Sequence, residues 1–230
     1  MLMTSPTFMF LRNAGRKIGL NKLIARIILG NGYETNYENK FINAINIGDC
    51  IWDIGANIGH YTKIFSDKAS DSGSVYAFEP SPTNYFQLKK NCELLGNIFL
   101  FNFGLGEKED KVSFQQGADS IGATSRIVET NIDGIEVDIV VGIDLIKNKI
   151  AKAPNAIKID VEGYEFEVIK GLGKYLSDPN LRLIGIEIHF ELLKERGIES
   201  APLLIEKTLV ENGFNIDWTD PSHIIALRTT

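Results

Sequence analysis

The sequence predicts an α/β fold built on a seven-stranded, mostly parallel sheet with helices on both faces. Three observations carry this expectation. From residue 50 onward, short apolar runs rich in Val, Ile and Phe alternate with helix-length segments. A glycine turn, Gly55 to Gly59, joins the first such run to a helix. The chain closes with two strand-like runs around Asp220-Pro221-Ser222, a hairpin that must reverse one strand against the parallel set.

Each element follows in order. Glu38 to Ile47 reads as a helix entering a Gly48-Asp49 turn. Strand one is Cys50–Ile54, and a helix follows from about Tyr61 to Ser70. Strand two is Ser74–Phe78 and ends on Glu79-Pro80. Ser81-Pro82-Thr83 caps a helix that runs to about Leu95 and stops at Gly96-Asn97. Strand three is Ile98–Phe103. The pattern then changes: Lys111–Gln115 and Gly134–Val141 look like inserted antiparallel strands, with a Gly/Ser/Thr-rich loop from Gln116 to Asp133 between them. A short helix at Ile143–Ile150 leads to strand four, Ala156–Val161, and a helix at Glu165–Leu172. Strand five is Leu181–His189, and the last long helix is Leu203–Glu211. Phe214–Thr219 and His223–Arg228 form the hairpin.

At 230 residues and 44% apolar composition, one well-buried core is expected. We divide the chain into a basic helical arm, residues 1–38, and a catalytic domain, residues 39–230. The net charge of −6 argues against a nucleic-acid backbone as partner. Cys50 and Cys92 are expected as buried thiols, not a disulfide framework. No charge-free run is long enough to span a membrane, and no secretion signal is evident, so a cytoplasmic location is expected. Residues 1–33 hold Arg12, Arg16, Lys17, Lys22 and Arg26 and no acid, leaving 19 basic against 30 acidic residues elsewhere. That arm reads as a helix against an acidic surface of the core or a partner, with peripheral membrane contact as the alternative. A homo-oligomer is possible on this sequence.

Ligands of such sheets bind beyond the carboxyl ends of the strands. The residues there are Asp53, Glu79, Phe103, Asp160 and the Glu187/His189 pair. Buried acids are costly unless they meet solvent, a cation or hydrogen-bond donors. Asp53 stands directly before the Gly55-Ala56-Asn57-Ile58-Gly59 turn. A fixed carboxylate there disfavours a pyrophosphate and suits a ligand with a cationic end. S-adenosylmethionine (SAM), with its ammonium and sulfonium, fits that contrast. Gly55 is expected to make the tight turn, and Gly59 to let the helix approach ligand or sheet. Glu79, 20 positions after Gly59, can accept from both hydroxyls of a ribose, with an acidic helix cap before Pro80 as the alternative.

Asp160 and Glu162 flank Val161 where strand four meets the cleft, with Gly163 giving backbone room. Glu165 and Glu167 read as solvated residues of a helix start. In Glu187-Ile-His189 the alternation puts Glu187 and His189 on one face. His189 can take a proton from a hydroxyl substrate; a buried core histidine is the alternative. No local metal spacing is present, so a site without metal is expected, although Asp160, Glu187 and His189 are O and N donors.

Taken together, Gly48-Asp49, Asp53-Ile-Gly-Ala-Asn-Ile-Gly59, Phe78-Glu-Pro-Ser81, Asn91 with Gly96-Asn97, Ile157-Lys-Ile-Asp-Val-Glu-Gly163 and Glu187-Ile-His189 resemble the FkbM family of SAM-dependent methyltransferases. The resemblance runs from about Asn39 to the end. It implies a Rossmann-like class I methyltransferase fold and O-methylation of a hydroxyl on a sugar, glycan or natural product. It carries Asp53, Gly55, Asn57, Gly59 and Glu79 over as cofactor residues, and Asp160 as an active-site residue. Ala56 and Pro80 complete the expected cofactor turn. Asp160, Glu162, Glu187 and His189 form the expected catalytic set. Two rivals remain: an NAD(P)-dependent oxidoreductase, which lacks a Gly-x-Gly-x-x-Gly turn here, and a catalytically silent Rossmann-like binding module.

Overall fold

The computed structural model describes residues 33–115, 126–128 and 134–228. Residues 1–32 of the basic arm and most of the 116–133 loop therefore lie outside the described residues.

The core is one sheet. β1 (Cys50–Ile54) is buried at all five positions and pairs in parallel with β2 (Ser74–Phe78) on one side and β8 (Ala156–Ile159) on the other. A strand covered on both faces needs apolar residues at both parities, which Cys50, Ile51, Trp52 and Ile54 supply. β3 (Ile98–Phe101) continues the sheet beyond β2, and β9 (Leu183–Glu187) beyond β8. β11 (His223–Arg228) then inserts antiparallel between β9 and β10 (Phe214–Trp218). The seven-strand order is β10-β11-β9-β8-β1-β2-β3. The order reverses at β1, which opens a crevice at the carboxyl ends of β1 and β8.

Helices cover both faces. α1 (Tyr33–Asn43), α2 (His60–Ala69) and α3 (Pro82–Cys92) lie on the face that carries Ile51, Val75 and Ala156. Tyr37 and Phe41 of α1 are buried there, and α1 runs unbroken across residues 38 and 39, so the expected division falls inside a helix. α5 (Glu165–Leu172) and α7 (Ala201–Glu211) pack on the opposite face with Trp52, Ile54 and Ile157. A short α6 (Phe190–Glu195) follows β9 at once, and a 3₁₀ turn (Gly173–Ser177) follows α5; neither was expected.

The insertion is a second sheet of order β4-β7-β5-β6, formed by Gly104–Gly106, Ile135–Val141, Asp110–Gln115 and Arg126–Val128. Arg126–Val128 is thus a strand within the expected loop. α4 (Gly142–Lys147) returns the chain to the main sheet. Strand boundaries moved where the chain turns. β8 stops at Ile159 because Glu162 and Gly163 both have left-handed backbone, and β9 stops at Glu187 because α6 begins at Phe190. β3 likewise ends before Phe103. Among the described residues no helix is long and apolar enough to cross a membrane.

Candidate active site

Two clusters meet at the carboxyl edge of the sheet. The first is the glycine turn after β1. Gly55 has φ +81°, and a Cβ there would lie 1.8 Å from the carbonyl oxygen of Asp160. Only glycine lets the turn pass over the end of β8. Gly55 N–H and Ala56 N–H both donate to the Phe78 carbonyl, which fastens the turn to β2. Asn57 also has positive φ, and its N–H donates to Glu79 Oε2 at 2.8 Å. Glu79 Oε1 accepts from Ser81 N–H at 2.9 Å. Glu79 therefore ties the turn to the cap of α3 while remaining a possible ribose acceptor, since each carboxylate oxygen has a second lone pair. Burial pushes its carboxyl up to about 7, against the pull of the Ser81 and Asn57 N–H groups. Pro80 follows in the same turn, its carbonyl accepting from Asn102 Nδ2 at 3.1 Å.

Gly59 accommodates a neighbour that the sequence does not suggest. It has φ +89° and precedes α2, but a Cβ on it would meet Leu88 Cδ1 at 2.7 Å and Cys92 Sγ at 3.1 Å. Among the described residues the close approach it permits is to α3.

Asp53 is wholly buried. Oδ2 accepts from Thr62 Oγ1 at 2.6 Å, and Oδ1 lies 3.7 Å from Lys158 Nζ without a hydrogen-bond partner. Lys158 is register-paired with Asp53, equally buried, and 3.3 Å from Asp160 Oδ2. Burial pulls its ammonium down, but Asp160 and Asp53 outweigh that and hold it above its ordinary range. Burial pushes the Asp53 carboxyl up, opposed by Lys158 and Thr62. The cation that answers Asp53 is thus partly supplied by the protein itself. The sequence reading gave that role to the ligand alone.

The second cluster surrounds His189, whose side chain is nearly closed from solvent. Nδ1 lies 2.6 Å from Glu165 Oε1. Nε2 lies 3.2 Å from Glu162 Oε2, 3.7 Å from Glu187 Oε1 and 3.8 Å from Asp160 Oδ1. Burial pulls the imidazole down, but Glu165 first, then Glu187 and Asp160, raise it to about 10. The ring is an imidazolium at neutral pH, the wrong form for the expected base. The four expected catalytic residues do converge, but around a proton that His189 already holds.

Glu165 departs most from the sequence reading. Expected in solvent, it is fully buried, binds Gly163 N–H at 2.9 Å and orients His189. Glu167 is paired with Arg196 at 2.6 Å instead of solvated. The hairpin adds His223, which reaches Asp220 through Nδ1 at 2.8 Å and Glu187 through Nε2 at 3.5 Å. Tyr37 packs against it with ring centroids 4.4 Å apart and the planes tilted by 36°. Burial, the largest single influence, pulls His223 down, but Asp220 and Glu187 together raise it to about 9. Lys158, Glu165 and His223 were missed as site residues. Lys158 alone had a signal, a lysine inside an otherwise apolar buried strand.

The chain's residues fit SAM. Asp53 Oδ1 and Asn57 Oδ1 are buried acceptors without hydrogen-bond partners, beside Glu79. An ammonium and a ribose diol supply the donors that such orphaned acceptors lack.

Comparisons with known proteins agree with this geometry. A profile of the methyltransferase FkbM domain matches residues 53–216. The chain is 31% identical over 142 residues to the hexuronic acid methyltransferase AglP of Haloferax volcanii, covering 61% of this chain and 56% of that protein. It is 26% identical over 200 residues to methyltransferase 1 of Beauveria bassiana, covering 74% of this chain and 76% of that protein. A crystal structure of methyltransferase FkbM from Methylobacillus flagellatus superimposes with TM-score 0.53 at 17% identity, over 78% of this chain and 43% of that one. A Streptococcus mutans structure in complex with S-adenosylhomocysteine (SAH) gives TM-score 0.52 at 14% identity, over 85% and 97%. The chain spans about half the length of the Haloferax and Methylobacillus proteins. The structural matches share the class I methyltransferase fold.

Proposed function

This chain belongs to the methyltransferase FkbM family, and from that premise we propose that it transfers a methyl group from SAM to a hydroxyl of a sugar, glycan or natural product. The observation that carries the reading is the buried acceptor Asn57 Oδ1, which has no hydrogen-bond partner, with Asp53 Oδ1, which has only Lys158 at 3.7 Å, beside Glu79 at the crevice. A pyrophosphate would bring more acceptors to acceptors. The named activity of the Haloferax relative supports an acidic sugar as the acceptor class.

When bound, SAM supplies an electrophilic methyl group with its own leaving group. The protein's work is then to position, desolvate and manage one proton. Asp53 and Asn57 would take the amino-acid end, and Glu79 the ribose. Lys158 opposes the upward push of burial on the Asp53 carboxyl. On the acceptor side, Asp160 and Glu162 are the groups to receive the hydroxyl, because both remain partly open to solvent. His189, locked to Glu165, orients those carboxylates and does not act as the base.

Calorimetry of the purified chain with SAH and with NADH tests the cofactor. SAH is expected to bind and NADH not to. Tight NADH binding without SAH binding would overturn the reading. Labelled methyl transfer from SAM to a panel of uronic acids and neutral sugars then tests the acceptor class.

A further inference from the structure

The geometry points to a divalent-cation site formed by Asp160, Glu162 and His189, of the oxygen-preferring class that includes Mg²⁺ and Mn²⁺. One ligand atom from each residue lies within 4.8 Å of the others. Two ligands of one such ion, each ~2.1–2.4 Å from it, sit ~3 Å apart at right angles and up to ~4.8 Å apart when opposed. The separations from His189 Nε2, 3.2 Å to Glu162 and 3.8 Å to Asp160, fall in that range. A bound ion would take the place of the proton on Nε2, which leaves to solvent, so binding should strengthen as pH rises. Glu187 Oε1, 3.7 Å from the same nitrogen, stands as a fourth donor or an outer partner.

The surroundings of the ring add an independent observation. Glu165 is wholly buried, its Oε2 has no hydrogen-bond partner, and its carboxylate is aimed at His189 through the 2.6 Å contact with Nδ1. A carboxylate on the far nitrogen fixes the ring so that the near nitrogen faces a metal, and it raises the basicity of that ligand. A buried acid is a costly device unless it serves such an orientation. Glu162 also holds a non-glycine left-handed backbone, φ +49°, which delivers its side chain to Nε2. Local strain of this kind persists where the surrounding structure imposes it.

The ligand side chains of Asp160 and Glu162 are 31% and 28% exposed, so the outer positions of a bound cation would face the crevice. Those positions can take water or an oxygen of the acceptor. A cation there would draw charge from the acceptor hydroxyl as it loses its proton. The use of the site in methyl transfer rests on the function proposed above; its existence does not.

The test is titration of the purified full chain with Mn²⁺ alone, followed by electron paramagnetic resonance, without SAM or acceptor. One saturable site is expected, at submillimolar Mn²⁺ and displaced by excess Mg²⁺. Glu162→Gln and Asp160→Asn should each weaken it at least tenfold, while Glu191→Gln, on the exposed side of α6, should leave it unchanged. SAH binding measured on the same samples reports whether each variant is folded. No saturable Mn²⁺ binding by a wild-type sample that binds SAH would overturn the site. So would Mn²⁺ binding that both ligand variants keep.

Discussion

At pH 6 the carboxyl of Glu79 should hold a proton that it has lost at pH 8. Burial pushes this group up to about 7, and Ser81 and Asn57 N–H groups only partly offset it. Ribose hydroxyls donate to a carboxylate, so cofactor binding favours the ionised form. With a midpoint near 7, about 10% is ionised at pH 6 and about 90% at pH 8. The Kd for SAH should then rise up to about ninefold on acidification, about 1.3 kcal/mol. For stability without ligand the sign is opposite. The folded value lies above the ordinary 4.5, so this group favours the fold most below that value and loses the advantage as pH rises through about 7. The loss is about 3 kcal/mol at most. SAH should therefore raise the melting temperature more at pH 8 than at pH 6. In buffer free of divalent cations His189 and His223, raised to about 10 and about 9, stay protonated across this window and do not confuse it. Calorimetry with SAH at pH 6, 7 and 8 is the assay, with Glu79→Gln as the flat control. A wild-type Kd that does not change over that range, or a variant that keeps the slope, would refute Glu79 as the ribose acceptor.

Two further variants probe the frame of the site. Gly55→Ala would drive a Cβ to 1.8 Å from a backbone oxygen at a positive φ, so a loss of at least ~3 kcal/mol and ~6 °C in thermal unfolding is expected; a wild-type melting curve would show that the turn can yield. His189→Ala strands the buried Glu165 carboxylate and should cost ~3–5 kcal/mol of stability, while adding Glu165→Gln should recover most of it. Equal unfolding midpoints for the single and double variants would show that the pair is not coupled.

The parallel sheet and its crevice were legible because strands buried on both faces must be apolar at both parities. β1, β2 and the closing hairpin stand where the sequence places them. The family was legible for a related reason. A turn that crosses the end of β8 needs glycine at 55, and an acid that fastens that turn must follow β2, so fixed chemistry sits at fixed spacing. Asp53, Glu79, Asp160, Glu187 and His189 were marked by strand ends, and Glu162 by its place just past the end of strand four.

What only the tertiary structure decided is the partnership of those groups. Glu165 at a helix start favours solvent by every local rule, yet the fold closes over it and gives it an imidazole. Gly59 looks like part of a ligand turn, but the neighbour it accommodates comes from α3. Lys158 and Asp53 are 105 positions apart and meet because β8 pairs with β1. His189 could be read as a base until three carboxylates were placed around one of its nitrogens. Spacing along a strand or helix fixes which face a residue occupies. Its burial and its charged neighbours, and hence its protonation, depend on segments far away in the chain that no local pattern encodes.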